Sequence, residues 1–170
     1  MVLFATLIPT PVGSMIALAN EHTLYFLDFI DHPKLTFRLT NLQKTTNSTF
    51  LEGTPDPLLS ITQELDAYFT QGLSTFTTPL KLLGSTFQKA VWQELLSIPY
   101  GATISYTSLA YALSKPTAVR AVANANGANR FAVIIPCHRV IASGGELGGY
   151  GSGVARKKLL ITHEQKTQFL

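Results

Sequence analysis

The sequence predicts an α+β fold, with a β-sheet and one helix in residues 1–80 and a mostly helical part in residues 81–170. Two observations predict this division. Short apolar runs separated by turn residues dominate the first part, whereas apolar residues at helical spacing dominate the second. Hydrophobic residues make up 46% of the 170 and charged residues 14%, which excludes an intrinsically disordered chain.

The first part contains three apolar runs, Val2–Ile8, Met15–Ala19 and Thr23–Ile30, which predict a β-meander because turn residues separate them. A helix follows, with Asp56 as its N-cap and Pro57 at its first position. Its apolar residues share one face: Leu58, Ile61, Leu65, Tyr68 and Phe69. No pattern in this part indicates catalytic chemistry, so we expect it to be a structural domain.

The second part begins with a capping box, Ser85 to Gln88, which predicts a helix as far as Pro99. Ser105 is expected to cap a short second helix, and a third follows the break at residues 114–116 and continues to about Asn126. Two short helices joined by a tight turn predict a helix-turn-helix, although many such hairpins bind nothing.

The third of these helices has two distinct faces. At 100° per residue, one face points inward and holds Val119, Val122 and Ala123, while Arg120, Ala121 and Asn124 point outward. An outward face of one arginine among alanines lets a partner approach closely, but alanine is also the best helix former, so a plain surface helix explains the pattern equally well.

Charge is distributed unevenly along the chain. Residues 81–170 hold ten basic and three acidic residues, and no carboxylate lies between Glu94 and Glu146. A basic stretch of this length is typical of a polyanion-binding surface, nucleic acid above all. A solvated surface whose acids lie elsewhere in space would give the same pattern, so charge alone leaves both interpretations open.

The single cysteine, Cys137, excludes an internal disulfide and a multi-cysteine zinc site, and a reducing cytoplasm is the expected location. No apolar run is long enough for a membrane span. Residues 131–135 predict a buried strand leading to Cys137, which favours inert packing, yet His138 and Arg139 follow at once and could activate a thiolate. Glu164 is a candidate to orient the histidine.

A glycine-rich segment, residues 144–153, follows the cysteine. It lacks the Lys-Ser/Thr ending of a phosphate-binding P-loop, so we expect a mobile loop beside a pocket, with Tyr150 as a stacking surface.

The motif Ile-Pro-Cys-His-Arg-Val at 135–140 closely resembles the O6-alkylguanine-DNA alkyltransferases, together with Ile-Ser-Tyr at 104–106 and Ala-Val-Arg-Ala-Val at 118–122. The resemblance covers residues 86–164. It implies Cys137 as alkyl acceptor, His138 as water-mediated base, Glu164 as the group that orients His138, and Asn129 as the residue that shapes the nearby turn. It also implies that the following residues contact DNA or substrate: Tyr106, Ala118, Arg120, Ala121, Val140, Tyr150 and Gly151.

The resemblance further implies a winged helix-turn-helix-like motif in the minor groove of double-stranded DNA, with Arg120 replacing a flipped base and Tyr106 protonating the leaving guanine. O6-alkylguanine is the expected substrate, with O4-alkylthymine as a second one, and the protein is expected to act once, as a monomer. No cofactor is expected, because the alkyl group comes from the lesion, and no metal is expected, because the cysteine ligands of the zinc ion that some members of the family hold are missing here. The alternatives are a non-catalytic protein that binds alkylated DNA and a cysteine hydrolase.

Overall fold

The computed structural model describes residues 1–167, and the chain divides into two compact units, Met1–Lys81 and a second that begins at Leu82. The α+β class is confirmed. Within the described residues, no helix is both long enough and apolar enough to cross a membrane.

The first unit contains a four-stranded sheet in the order β3-β2-β1-β4. The predicted meander is present, because β2 pairs antiparallel with both β1 and β3. A parallel strand, β4, joins the free edge of β1 and was not predicted. The strands are β1 (Val2–Ile8), β2 (Met15–Ala19), β3 (Leu24–Phe29) and β4 (Thr49–Glu52).

Two helices accompany this sheet, α1 (Leu35–Thr46), which the sequence did not predict, and α2 (Asp56–Gln71). The predicted apolar face of α2 packs on β1 and β2. Asp56 is not the N-cap, as predicted, but the first helical residue. The helix begins one residue earlier because the carbonyl of Pro55 already accepts a hydrogen bond from Leu58 N at 2.8 Å.

The second unit is mostly helical, and the predicted capping box opens its first helix. Ser85 Oγ accepts from Gln88 N at 3.1 Å, and Gln88 Oε1 accepts from Ser85 N at 2.9 Å. The elements are α3 (Thr86–Leu95), β5 (Ile104–Ser105), α4 (Tyr106–Ala112), α5 (Val119–Gly127), β6 (Val140–Ile141) and α6 (Val154–Thr167).

Helices α4 and α5 form the predicted helix-turn-helix and pack against α3. The indole Nε1 of Trp92 in α3 donates to the carbonyl of Ala125 in α5 at 2.8 Å, which fixes the second helix to the core. Val122 is buried and Arg120 is exposed, so α5 presents the face that its sequence predicts.

A short parallel ladder joins β5 to β6, with Ile104 opposite Val140. Because β5 leads directly into Tyr106 and β6 follows directly after Arg139, this ladder brings together two segments that are more than thirty residues apart in sequence. The candidate site lies where these two segments meet.

We predict that Ser85→Ala lowers the free energy of unfolding by about 1 kcal/mol, because the amide of Gln88 loses its side-chain acceptor. Ser85 is exposed, so the substitution leaves no cavity. Denaturant unfolding of Ser85→Ala beside Ser85→Thr, which keeps the hydroxyl, measures the effect. Equal losses in the two variants would contradict the capping role.

Candidate active site

The segment before Cys137 is not the strand that its apolar residues predicted. Residues 131–135 are buried but form consecutive turns. Val133 adopts φ +73°, and the amide of Ile134 donates to the carbonyl of Ala132 at 2.9 Å. This is a γ-turn of the rare type, and it is strained for a β-branched residue. The amide of Cys137 donates to the carbonyl of Ile135 at 2.7 Å, so a second tight turn follows directly.

The side chain of Asn129 holds these turns. Its Oδ1 accepts from Phe131 N at 2.9 Å, while its Nδ2 lies 2.9 Å from the carbonyl of Ile135 and 3.2 Å from Cys137 Sγ. A buried amide therefore supplies the hydrogen bonds that a neighbouring strand would otherwise provide. Its N–H also points at the sulfur, where it stabilises negative charge.

Cys137 begins a 3-10 turn, Cys137–Arg139, that follows directly on the turn at Pro136. Cys137 is 8% exposed and His138 is fully buried. Nε2 of His138 lies 2.7 Å from Oε1 of Glu164 in α6, so the predicted pairing of these two residues is present. Nδ1 of His138 has no hydrogen-bond partner within residues 1–167.

From its position two residues after Cys137, Arg139 was expected to help activate the thiolate. In the structure its guanidinium contacts Glu164 and the carbonyl of Ile98. Its Nε donates to Oε2 of Glu164 at 2.8 Å, its second terminal nitrogen donates to Oε1 at 3.0 Å, and the first donates to the carbonyl of Ile98 at 2.7 Å. The guanidinium therefore neutralises Glu164 in a two-point ion pair.

The protonation states follow from these contacts. Burial lowers the pKa of His138, and the pairing with Glu164 only partly offsets it. Burial opposes ionisation of Glu164, but hydrogen bonds from His138 and Arg139 and the positive charge of Arg139 outweigh it and hold the pKa of this carboxyl well below its usual range. Near neutral pH, a neutral histidine thus donates from Nε2 to a carboxylate, which leaves the lone pair of Nδ1 as the base.

Tyr106 begins α4 beside this turn and is half-buried. Burial raises the pKa of its hydroxyl, and the nearby charge of Cys137 raises it further. The glycine-rich loop packs against its ring: a Cβ on Gly148 would lie 3.3 Å from Cε2 of Tyr106, at a φ of +71° that favours glycine. Tyr150 is half-buried and Gly151 is exposed.

The predicted DNA-contacting residues of the helix-turn-helix lie on the open face of α5. Arg120 and Ala121 are exposed and Ala118 is half-buried. Val140 differs, because it is fully buried in β6, directly after the turn that carries Cys137. The structure thus brings Asn129, Cys137, His138, Val140 and Glu164 together around one turn, with Tyr106 beside them. Within residues 1–167, no group of three or more His, Cys, Asp or Glu could hold a metal ion.

One buried charged residue beside the site, Lys157 in α6, was not among the predicted site residues. Its ammonium donates to the carbonyl of Val140 at 2.6 Å and lies 5.7 Å from the centre of the Tyr106 ring. The sequence contains a helical pattern that could have indicated this lysine. Four residues at i, i+3, i+4 and i+7 share the buried face of α6: Lys157, Leu160, Ile161 and Glu164.

Comparison with known proteins bears directly on this site. Residues 86–166 match the family model of the 6-O-methylguanine DNA methyltransferase DNA-binding domain, and residues 3–82 match that of its ribonuclease-like domain. The chain belongs to this family. The resemblance inferred from the cysteine motif is therefore confirmed.

Relatives match along most of the chain. The methylated-DNA–protein-cysteine methyltransferase of Mycobacterium tuberculosis is 42% identical over 82% of this chain and 86% of its own. The protein of the same name from Methanosarcina barkeri is 37% identical over 96% and 98%. The crystal structure of the M. tuberculosis OGT in complex with DNA, at 35% identity, covers 98% of this chain and 94% of its own with a TM-score of 0.82.

We predict that the free energy of unfolding falls as the pH drops below 6.5, the ordinary pKa of histidine. The folded-state pKa of His138 is lowered, so the unfolded chain binds the proton first and stability is lost on acidification, by at most about 1.4 kcal/mol per pH unit for one proton. Urea unfolding of His138→Gln between pH 7.5 and about 5 should show a flatter dependence.

His32→Gln is the matched control, because burial also lowers the pKa of His32, in the first unit. Each variant should remove the contribution of its own histidine to the pH dependence of the free energy of unfolding. A His138→Gln profile parallel to that of the unsubstituted protein would contradict the assignment of a neutral buried His138.

Proposed function

We propose that this protein repairs alkylated DNA by direct reversal, transferring the alkyl group from O6 of guanine to Sγ of Cys137. The observation that carries the proposal is the set of groups around Sγ of Cys137. An amide of Asn129 lies 3.2 Å from Sγ, and the next residue is a buried histidine paired with a carboxylate. The chain belongs to a family whose members are named for transfer of a methyl group to cysteine.

The chemical step balances without any other reactant. The thiol of Cys137 loses its proton to Nδ1 of His138 through a water molecule, the sulfur bonds to the alkyl carbon, and the bond between that carbon and O6 breaks. The electron pair passes into the purine, and the hydroxyl of Tyr106 gives it a proton. Tyr106 recovers a proton from solvent as His138 releases one, so thiol and alkylguanine become thioether and guanine.

The second unit carries the DNA-binding role in this proposal, and the first unit is structural. The exposed face of α5, with Ala118 and Ala121 allowing close approach, lies in the minor groove. The lesion leaves the stack because a base inside the duplex is out of reach of a buried sulfur, and Arg120 takes its place. Val140, Tyr150 and Gly151 bound the pocket for the flipped base.

The remaining parts of the proposal follow from the same chemistry. O4-alkylthymine carries an alkyl group on an equivalent exocyclic oxygen and is a second substrate. One copy of the protein acts on one lesion. A thiolate acceptor works in a reducing compartment, which places the protein in the cytoplasm.

We predict that incubation with a duplex containing O6-methylguanine adds the mass of one methylene group to Cys137, with at most one group removed per molecule. Mass spectrometry of the digested protein locates the modification, and counting repaired lesions against protein gives the ratio. Cys137→Ala and an unmodified duplex are the controls, and both should give no transfer.

Two results would overturn the proposal, and each identifies an alternative. Tight binding to the methylated duplex without any mass change indicates a non-catalytic binding protein. Repair that continues well above one lesion per molecule, or hydrolysis of ester substrates by Cys137, indicates an enzyme that regenerates its thiol.

We predict that Arg120→Ala slows transfer from duplex DNA by about tenfold, equivalent to a loss of ~1.4 kcal/mol, while transfer from free O6-methylguanine base is unchanged. The reason is that Arg120 fills the gap that a flipped base leaves in the base stack of the duplex, and the free base leaves no such gap. Lys115→Ala, which removes another exposed cation of the same motif, is the control and should have a smaller effect. Equal losses on the two substrates would remove the role given to Arg120.

A further inference from the structure

Asn126 in α5 is a buried amide that the mechanism above does not use. Its Nδ2 lies 3.4 Å from the carbonyl oxygen of Cys137, while its Oδ1 is buried and has no hydrogen-bond partner within residues 1–167. A buried polar atom without a partner lowers the free energy of unfolding, and an apolar side chain of similar size, such as leucine, would avoid this cost. Packing alone therefore does not explain an amide at this position.

Anchoring of the helix does not explain it either. The indole of Trp92 already joins α5 to α3 through the carbonyl of Ala125, at 2.8 Å. The carbonyl of Cys137 already accepts a hydrogen bond from the amide of Val140, so it is satisfied without the longer bond from Asn126. The Oδ1 atom of Asn126 is the part of this side chain that remains to be accounted for.

A second buried acceptor belongs to the next residue of the cysteine turn. Nδ1 of His138 has no partner in the described part of the chain, and Nε2 of the same ring is occupied by Glu164 at 2.7 Å. The amide of Asn126 contacts the peptide that joins Cys137 to His138, and its Oδ1 is bonded to the same carbon as the contacting nitrogen. Two acceptors cannot bond to each other. A water molecule has two hydrogens and satisfies both, and buried waters are held by two to four polar partners of this kind.

We propose that Asn126 is a positioning residue for proton transfer from Cys137: its Oδ1 and Nδ1 of His138 together hold the water molecule that carries the thiol proton. This water accepts the proton from Sγ and passes one of its own to Nδ1, while its other hydrogen stays on Oδ1 of Asn126. Thiol and neutral histidine become thiolate and imidazolium, and the water is regenerated. Nδ2 on the carbonyl of Cys137 keeps the amide in the orientation that presents Oδ1.

The charged and titratable groups around Cys137 and His138 come from α4, the 3-10 turn and α6. They are Tyr106, Arg139, Lys157 and Glu164. Substitution of Asn126 leaves all of them in place. A change in the titration of the thiol in such a variant therefore reports the contribution of the amide. The role in alkyl transfer rests on the proposed function, whereas the effect on the thiol does not.

The first test measures formation of the thiolate. The rate at which iodoacetamide modifies Cys137 is followed from pH 5 to 10 by mass spectrometry in the unsubstituted chain, Asn126→Leu and Gln93→Leu. We expect Asn126→Leu to move the midpoint upward by up to about one pH unit, which corresponds to the loss of one hydrogen bond that favours the charged form. Gln93→Leu replaces an exposed amide of α3 by the same side chain and should leave the midpoint unchanged.

This comparison separates proton transfer from a purely structural role. A structural role would lower the stability of Asn126→Leu without moving the midpoint. A folded Asn126→Leu protein, checked by circular dichroism, with an unshifted midpoint would overturn the proposal, and so would an equal shift in Gln93→Leu.

The second test needs no variant, so it carries the proposal if Asn126→Leu does not fold. A crystal structure of the unsubstituted protein, at a resolution that shows ordered water, should contain one water molecule within hydrogen-bonding distance of Oδ1 of Asn126, Nδ1 of His138 and Sγ of Cys137. A water on Nδ1 that is out of reach of Oδ1, or a protein donor on Oδ1, would contradict the assignment.

The third test uses alkyl transfer. Asn126→Leu should slow transfer from free O6-methylguanine base and from duplex DNA by the same factor, about three- to tenfold, because thiolate formation precedes both reactions. Arg120→Ala differs, since its loss is expected on the duplex alone. A loss confined to the duplex in Asn126→Leu would show that the residue acts through DNA binding, against the proposal.

The first two tests keep the two hypotheses apart. They require no DNA, so they decide the role of Asn126 even if no alkyl group is transferred. Absence of transfer by the unsubstituted protein, together with the expected shift of the iodoacetamide midpoint in Asn126→Leu, would contradict the proposed function alone.

Discussion

The candidate site depends on one buried carboxylate, that of Glu164. A charge in the interior is stable only when it is paired and hydrogen-bonded, and Arg139 and His138 supply both conditions. These two residues follow Cys137 directly, whereas Glu164 lies 26 positions beyond His138, in α6. Removing one partner of such a pair leaves an unpaired buried charge at a cost of about 3–5 kcal/mol. The same contacts therefore fix the acceptor turn to α6 and set the tautomer of the base.

A single helix face supplies both buried charges of the site. Leu160 and Ile161 occupy the middle of the buried face of α6 and bind it to the core, while Lys157 and Glu164 lie one turn away on either side. The carboxylate holds the base and the ammonium lies toward Tyr106 and the glycine-rich loop. This arrangement makes acid–base geometry and packing inseparable, because any rotation of α6 would displace both charges at once.

Local signals predicted much of the fold, and non-local contacts account for the failures. The capping box of α3 and the outward face of α5 could be predicted because each is encoded within one or two turns. Residues 131–135 looked like a strand because they are apolar, but Asn129 replaces the partner strand, and no local pattern shows that. In α1, all of which is described, Leu42 is the only buried residue, so no apolar stripe indicated the helix. Cys137 and His138 were evident from sequence, whereas the contact of Arg139 with Glu164 depends on tertiary structure.

The arrangement of thiol, histidine and carboxylate is one that hydrolases also use, and the bond formed at sulfur is what distinguishes the two outcomes. An acyl group on cysteine has a carbonyl that a histidine-activated water can attack, so the thiol is regenerated. An alkyl group forms a thioether with no such carbon, and Nδ1 of His138 then has no reaction to assist. The chain contains one cysteine, so no second thiol of its own could receive the group. In the proposed reaction the base acts once, in forming the thiolate, and consumption of the protein follows from carbon–sulfur chemistry rather than from any missing part of the site.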